Sequence, residues 1–426
     1  MKIAFHTLGC KVNQYESEAL AEQFEAAGHR IVDDDEYADV YVINTCTVTG
    51  LADRKSRQYI RRMKKINPAS IVAVVGCYAQ VSPDEVAALE GVNIVAGTNE
   101  KENLVRYVEA YGDGNTEIHI KAYEDLSCYE SSGILTSTAL RTRAYVKIQE
   151  GCDRFCSYCI IPYARGPVRS RNRDEVLEEA RGLIEQGYKE IILTGINTAL
   201  YEDLPGLLRD LDEMEGNFRV RLSSLEPTVV DEDFVREILK SRRLCHHLHL
   251  SLQSGSDRIL KAMNRNYNRE TYISITETLK AFDPLYGITT DIIVGFPGET
   301  EEDYRDSLDM ISRVGFCRVH GFSYSKRKGT VAAKMKDQIP GPIKRERNRE
   351  LLDLGQRVAG AFFTENVGTH NTVLFEEEEA GYLTGYTDNY IKAYLLPKGK
   401  GKEEFINQLV DVRIASLFRD GVLVHV

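Results

Sequence analysis

Three short apolar runs near the N-terminus each lead into a cysteine. Lys2–Phe5 (KIAF) precedes TLGC, ending at Cys10; Asp39–Ile43 (DVYVI) precedes NTC, ending at Cys46; Ile71–Val75 (IVAVV) precedes GC, ending at Cys77. Runs of this length and make-up read as buried parallel strands. A helix-like segment follows each one. Glu16–Ala27 carries Leu20, Phe24 and Ala27, Asp53–Ile66 is basic and amphipathic, and Ser82-Pro83-Asp84-Glu85 reads as an N-cap with proline at the first helical position. Strands alternating with helices imply a parallel sheet. Ligands of an open α/β sheet sit outside the carboxyl ends of its strands, and all three cysteines fall at that edge. A lone cysteine is commonly a buried small hydrophobe. Three at equivalent places after successive strands point to ligation.

A second trio is local. EGCDRFCSYCIIP, Glu150–Pro162, holds Cys152, Cys156 and Cys159. A structural zinc site closes with four ligands, yet no cysteine or histidine follows Cys159 within roughly 20 residues. Soft thiolates otherwise select iron–sulfur clusters. A [4Fe–4S] cluster normally takes four thiolates, so three leave one iron with an exchangeable position. A disulfide framework belongs to small secreted chains, and this chain has 426 residues with nine cysteines. Its start, MKIAFHTLGC, lacks a signal-peptide layout. No apolar run reaches the ~20 residues of a membrane helix. A cytoplasmic protein with reduced thiols and no membrane partner is expected.

The net charge of −11 argues against a general nucleic-acid binder. Three basic stretches, 54–65 (RKSRQYIRRMKK), 165–173 (RGPVRSRNR) and 326–349, instead point to a focused anionic partner.

Downstream, Glu190–Thr194, Phe218–Leu222, Leu248–Leu252, Thr289–Val294 and Arg318–Phe322 read as strands. Helix-like segments Arg173–Gln186, Asp231–Ser241, Asp257–Met263, Arg269–Phe282 and Thr300–Val314 intervene. The alternation predicts a partial (β/α) barrel, with polar groups at the strand ends facing a site. Those groups are Gly195, Asn197, Ser223, Ser224, Glu226, Gln253 and Ser254. Gly295–Thr300 (GFPGET) lacks the lysine of a phosphate loop and reads as a strand-to-helix turn capped by Thr300. Thr372–Phe375, Tyr390–Leu396, Leu409–Ile414 and Val422–Val426, with Gly381 and Gly385 at bends, suit a small β-barrel. Cys128 reads as incidental and Cys317 as packed. Cys245, beside His246, His247 and His249 in RRLCHHLHL, reads as a strand flank rather than a zinc site.

Cys152-x3-Cys156-x2-Cys159, with Tyr158 before the last cysteine, resembles the radical S-adenosylmethionine (SAM) signature. Together with Cys10, Cys46 and Cys77 and the C-terminal β segment, the layout resembles the radical-SAM methylthiotransferases over nearly the whole chain. The resemblance implies an α/β N-terminal domain (1–112), a linker (113–137), a radical-SAM barrel (138–364) and a TRAM-like β-barrel (365–426). It implies two [4Fe–4S] clusters, one on each trio, and SAM, cleaved to methionine and a 5′-deoxyadenosyl radical. It assigns Gly195 and Asn197 to the methionine amine, Tyr158 to the adenine, Gln253 or Ser254 to the ribose, and Ser224 and Glu226 to the pocket wall. The opening TLGCKVNQYE, Thr7–Glu16, is similar to the branch that methylthiolates C2 of N6-threonylcarbamoyladenosine 37 beside the tRNA anticodon. Sister branches act on isopentenyladenosine or on an aspartate of a ribosomal protein; a non-enzymatic iron–sulfur or zinc protein is the other class. The implied partners are the tRNA anticodon loop and a low-potential electron donor of flavodoxin or ferredoxin type.

A TRAM domain would grip RNA, but here it carries the acidic run Glu376–Glu379, read as a solvated hairpin tip, with Lys392, Lys398, Lys400 and Lys402 as a local exception. The RNA contact is therefore expected to be shared by Arg61, Arg62, Arg165, Arg169, Arg171, Lys326 and Arg327.

Overall fold

In the computed structural model, which describes all residues but 49, 113, 127–128, 131–132, 134, 136–141 and 398–400, the N-terminal alternation becomes a six-stranded sheet. Its order is Arg30–Val32, Lys2–Thr7, Val40–Thr45, Ile71–Gly76, Ile94–Ala96, Glu117–His119, and every pairing is parallel. Successive side chains alternate faces, so the central strands feed two apolar layers. Tyr41, Ile43, Val72 and Val74 pack with Ile60 and Met63 on one face. Val40, Val42, Ala73 and Val75 pack with Leu20, Phe24 and Leu104 on the other. The first helix, Lys11–Ala26, starts directly after Cys10, earlier than expected. Pro83 does open a helix, Pro83–Ala87, but Ser82 makes no side-chain cap bond; it joins that helix to another, Cys77–Val81.

The chain packs as two compact units. The first holds this sheet (1–136) together with 147–175 and 325–333; the second holds 137–146, 176–324 and 334–426. In the second unit, Glu190–Thr194 pairs in parallel with Arg219–Leu222. Ser224–Leu225, His247–Leu250, Gly287–Val294 and Arg318–Ser323 form a four-stranded parallel sheet. The expected helices recur between them, including Arg269–Phe282 and Glu301–Val314. Thr300 caps the latter through a full capping box with Asp303, as GFPGET implied.

The C-terminal strands close into a five-stranded barrel of His370–Glu379, Tyr382–Thr387, Lys392–Leu395, Gly421–His425 and Leu409–Phe418. Tyr382–Thr387 is a strand that the apolar pattern does not signal. Gly385 lies within it rather than at a bend, and glycine is needed there since a Cβ would sit 1.9 Å from the Leu374 carbonyl oxygen. The acidic run is not simply a solvated tip. A bulge between Phe375 and Glu377 turns Glu376 toward Arg143 Nε (2.6 Å) and Thr142 (2.9 Å). Lys392 pairs with Glu379 and Lys402 with Glu378, which neutralises part of the run. Lys398 and Lys400 lie outside the described residues, as does Cys128. Cys317 is packed in the barrel's apolar cluster, as expected. No helix among the described residues is long and apolar enough to cross a membrane.

One buried carboxylate ties the parallel strands to this barrel. Glu190 accepts from Arg219 Nε at 2.6 Å and Arg221 Nε at 3.0 Å. The same guanidinium groups donate to the carbonyls of Thr372, Tyr386 and Asp388 at 3.0, 2.9 and 3.0 Å. Burial opposes the charge of Glu190, but Arg221, Arg219 and Arg143 hold its carboxyl well below the usual range. Glu190→Gln is expected to cost about 3 kcal/mol at neutral pH, since it strands two buried cations. A depressed folded-state pKa gives stability above the unfolded value of about 4.3, lost as pH falls further. The deficit of the variant in urea unfolding should therefore shrink below about pH 4.

Candidate active site

The two cysteine trios both belong to the first unit. Cys10 is the N-cap of Lys11–Ala26, Cys46 follows the strand Val40–Thr45, and Cys77 opens Cys77–Val81. Asn13 fastens the first two turns together. Its side-chain amide donates to the carbonyls of Leu8 (2.7 Å) and Thr45 (3.0 Å), while Asn44 donates to the Asn13 carbonyl at 2.9 Å. Gly9 has φ +118°, and a Cβ there would lie 2.8 Å from Cys46 Cβ, so the Cys10 turn packs directly on Cys46. Cys46 and Cys77 are buried and Cys10 is exposed. Burial, with neighbouring Cys77 and Cys10, pushes the Cys46 thiol up to about 12. Burial also raises Cys77, against the pull of Arg165. The three sulfurs are thus electrostatic neighbours, and Cys46 and Cys77 need a metal to become thiolates.

The local trio sits on a clamped loop. Gln149–Glu150 pairs with Arg169–Ser170, Cys152 N donates to the Gly166 carbonyl at 3.0 Å, and Cys159 N donates to that of Cys156 at 2.9 Å. Phe155, inside the loop, adopts φ +44°, a conformation rare for a bulky residue. Gly151 opens the loop at φ +73°, where a Cβ would stand 1.8 Å from the Pro167 carbonyl oxygen. Gly151→Ala is expected to cost more than the ~1–3 kcal/mol of backbone strain, and purified protein should lose iron. Tyr158 is half-buried.

Between the trios lies a buried ionic cluster that the sequence reading missed. Arg165, fully buried, donates to Glu16 at 2.9 Å, Glu150 at 2.7 Å and Asn13 at 2.5 Å. Lys147 bonds Glu16 at 2.8 Å and pairs with Glu150; Lys101 also pairs with Glu16. Burial disfavours the charges of Glu16, Glu150, Lys147 and Arg165, yet Cys77, Glu150, Glu16 and Cys10 hold Arg165 well above its ordinary value. Arg165, Lys101 and Lys147 face Glu16 and Glu150, so the cluster is net cationic. A cubane on three thiolates is anionic. Soft donors, buried cations and a closed loop therefore fit iron–sulfur ligation, which Cys10, Cys46 and Cys77 on one side and Cys152, Cys156 and Cys159 on the other would supply. A signal existed in the sequence: Glu16 stands four residues from both Val12 and Leu20, on the buried stripe of its helix. A charge there implies a buried partner.

The RNA contact expected of Arg165, Arg169 and Arg171 is corrected, because all three are buried. Arg169 donates to the Arg165 carbonyl at 2.6 Å, and Arg171 to Tyr15 at 3.1 Å. Arg327 is likewise engaged, by Asp53 at 2.7 Å and Thr47 at 2.5 Å. Each sits where a fixed carboxylate, carbonyl or hydroxyl within its own unit already takes the guanidinium. Arg61, Arg62 and Lys326 are exposed.

In the second unit, the polar residues expected at strand ends do stand there. Gly195 and Asn197 follow Glu190–Thr194; Ser223 follows Arg219–Leu222 and Glu226 follows Ser224–Leu225. Gln253 and Ser254 follow His247–Leu250. Gln253 has φ +65° and bridges to the neighbouring strand through Asp291 and Ile293 at 2.8 Å each. Buried Ser223 Oγ has no hydrogen-bond partner among the described residues, as a polar wall that takes a ligand would leave it. Glu226 is paired with Arg265 at 3.4 Å. These groups suit a polar cofactor such as SAM.

Residues 146–311 match the radical SAM superfamily model, and residues 2–97 match one described as uncharacterized protein family UPF0004. The fold is similar to that of the radical SAM methyltransferase TsrM from Kitasatospora setae, with a TM-score of 0.61 at 15% identity over 78% of this chain and 77% of that one. Fold and site together define a radical SAM protein. The chain is 42% identical to the threonylcarbamoyladenosine tRNA methylthiotransferase MtaB of Bacillus subtilis, over 100% of this chain and 96% of the relative. It is 38% identical to that of Aquifex aeolicus, over 91% and 96%. A tRNA-2-methylthio-N(6)-dimethylallyladenosine synthase of Carboxydothermus hydrogenoformans is 35% identical, over 98% of each chain. The chain belongs to the radical SAM methylthiotransferase family, of the MtaB type.

Proposed function

We infer that this chain methylthiolates C2 of N6-threonylcarbamoyladenosine 37 in tRNA, using two [4Fe–4S] clusters and SAM. The observation that carries this is full-length similarity to the MtaB proteins. The adenine C2–H is too weakly acidic for a side-chain base near neutral pH to remove. When bound, the clusters and SAM supply the one-electron activation of that position, the sulfur and the methyl group. The chain's part is to hold and orient them. Cys152, Cys156 and Cys159 hold the SAM cluster, and Cys10, Cys46 and Cys77 hold the auxiliary one. Tyr158, Gly195, Asn197, Ser224, Glu226, Gln253 and Ser254 position SAM. Arg61, Arg62 and Lys326 attract the phosphates of the anticodon loop, whose unstacked bases can leave the stack. The modules that divide this work are 1–112, 138–364 and 365–426, with 113–137 as linker. A flavodoxin- or ferredoxin-type protein reduces the clusters, in the cytoplasm.

Nucleoside mass spectrometry of tRNA from a deletion strain tests the reading. The methylthio form of threonylcarbamoyladenosine should vanish and return with the wild-type gene. Loss of methylthio-isopentenyladenosine in its place, or of a modified ribosomal aspartate, would overturn the assignment.

A further inference from the structure

RRLCHHLHL disperses its polar side chains on folding. Cys245 is fully buried, and His246 pairs with Asp283 at 2.7 Å. His247 and His249 share one face of the strand His247–Leu250. In the sheet register Thr289 lies beside His249, and Asp291 lies beside His320 on the next strand. The result is a cluster in which one ligand atom each from His249, Asp291 and His320 lies within 4.8 Å of the others. Three adjacent strands each contribute one donor.

The hydrogen bonding around His249 prepares it as a ligand. Thr289 Oγ1 is 3.0 Å from His249 Nδ1 and 3.0 Å from His247 Nε2. With the hydroxyl donating to His247, its oxygen can accept from His249 Nδ1–H. That tautomer directs the Nε2 lone pair at the Asp291 carboxylate, 3.4 Å away. Nε2 is buried and makes no hydrogen bond among the described residues. In that tautomer two lone pairs face each other, an arrangement that a bound cation relieves. Two ligands ~2.0–2.2 Å from a tetrahedral ion stand about 3.4 Å apart, which is the spacing found. A hydroxyl behind the far ring nitrogen is the support that metal-bound imidazoles commonly have. His320 also lines an open cavity of about 700 Å³ with Arg318, Gln356, Phe363 and Arg419, which gives a hydrated ion a way in.

We propose that His249, Asp291 and His320 bind a divalent ion of the zinc type, separately from both cysteine trios and with a fourth position open. Two imidazoles and one carboxylate suit zinc. The ion joins the edge strand Arg318–Ser323 to the two strands beside it.

The test uses anaerobically purified, cluster-loaded, full-length protein dialysed against zinc. Metal analysis should find one zinc per chain beyond the iron, and zinc-edge X-ray absorption should show a shell of nitrogen and oxygen only. The His249→Ala/His320→Ala double variant should lose that zinc and keep its iron, and Asp291→Asn should weaken zinc binding about tenfold or more. No retained zinc, sulfur in its shell, or undiminished zinc in the double variant overturns the proposal. The wild-type absorption spectrum decides the ligand set even if the double variant fails to fold.

Discussion

Cys77→Ala is expected to halve the iron of anaerobically reconstituted protein, from ~8 to ~4 atoms per chain, and to abolish methylthiolation. Cleavage of SAM under dithionite should persist, because Cys152, Cys156 and Cys159 stand on a separate loop with its own clamps. Cys77 is the informative choice. It is fully buried, it opens a helix, and its thiol is held high by burial until a metal takes it. The converse variant, Cys156→Ala, should lose SAM cleavage as well as methylthiolation. Iron that stayed near eight in Cys77→Ala, or that fell to zero, would show that the trios are not independent sites.

Arg165→Met should be the most destabilising single change outside the cysteines, at about 3–5 kcal/mol. The methionine fills much of the space but leaves Glu16 and Glu150 with less compensation and Asn13 without its donor. Asn13 in turn secures the turns that carry Cys10 and Cys46. The loss should appear as a lower urea midpoint and as iron missing from the auxiliary trio first. Arg165→Lys keeps the charge but not the fork that reaches three partners, so it should recover only part of the loss. Adding Glu16→Gln to Arg165→Met should lower stability further, since Lys101 and Lys147, which still pair with Glu16, would lose a buried counter-charge. If Arg165→Met unfolded like the wild type, the buried cluster would not be what holds this region.

Much of this was legible in the chain. The strands Glu190–Thr194 and the helix Arg269–Phe282 fall where apolar periodicity placed them, because that signal is local and strong. The capping box at Thr300 was readable from residue types a few positions apart. Boundaries fared worse where tertiary contacts set them. Lys11–Ala26 begins early because the Cys10 turn is anchored from Thr45, a distant strand. The basic stretch 165–173 misled because charge in sequence carries no record of burial. Its arginines find Glu16, Glu150 and Tyr15, in one case 149 positions away.

Residue order determined which chemistry is available: soft sulfurs in two groups of three, one written within eight positions and one implied by three like strand ends. Folding decided what surrounds them. Charge compensation in a low-dielectric interior depends on distances across the sheet and between elements, and such distances follow from packing rather than from spacing along the chain. The same holds for His249, Asp291 and His320, which are dispersed in sequence and become neighbours through the register of three parallel strands.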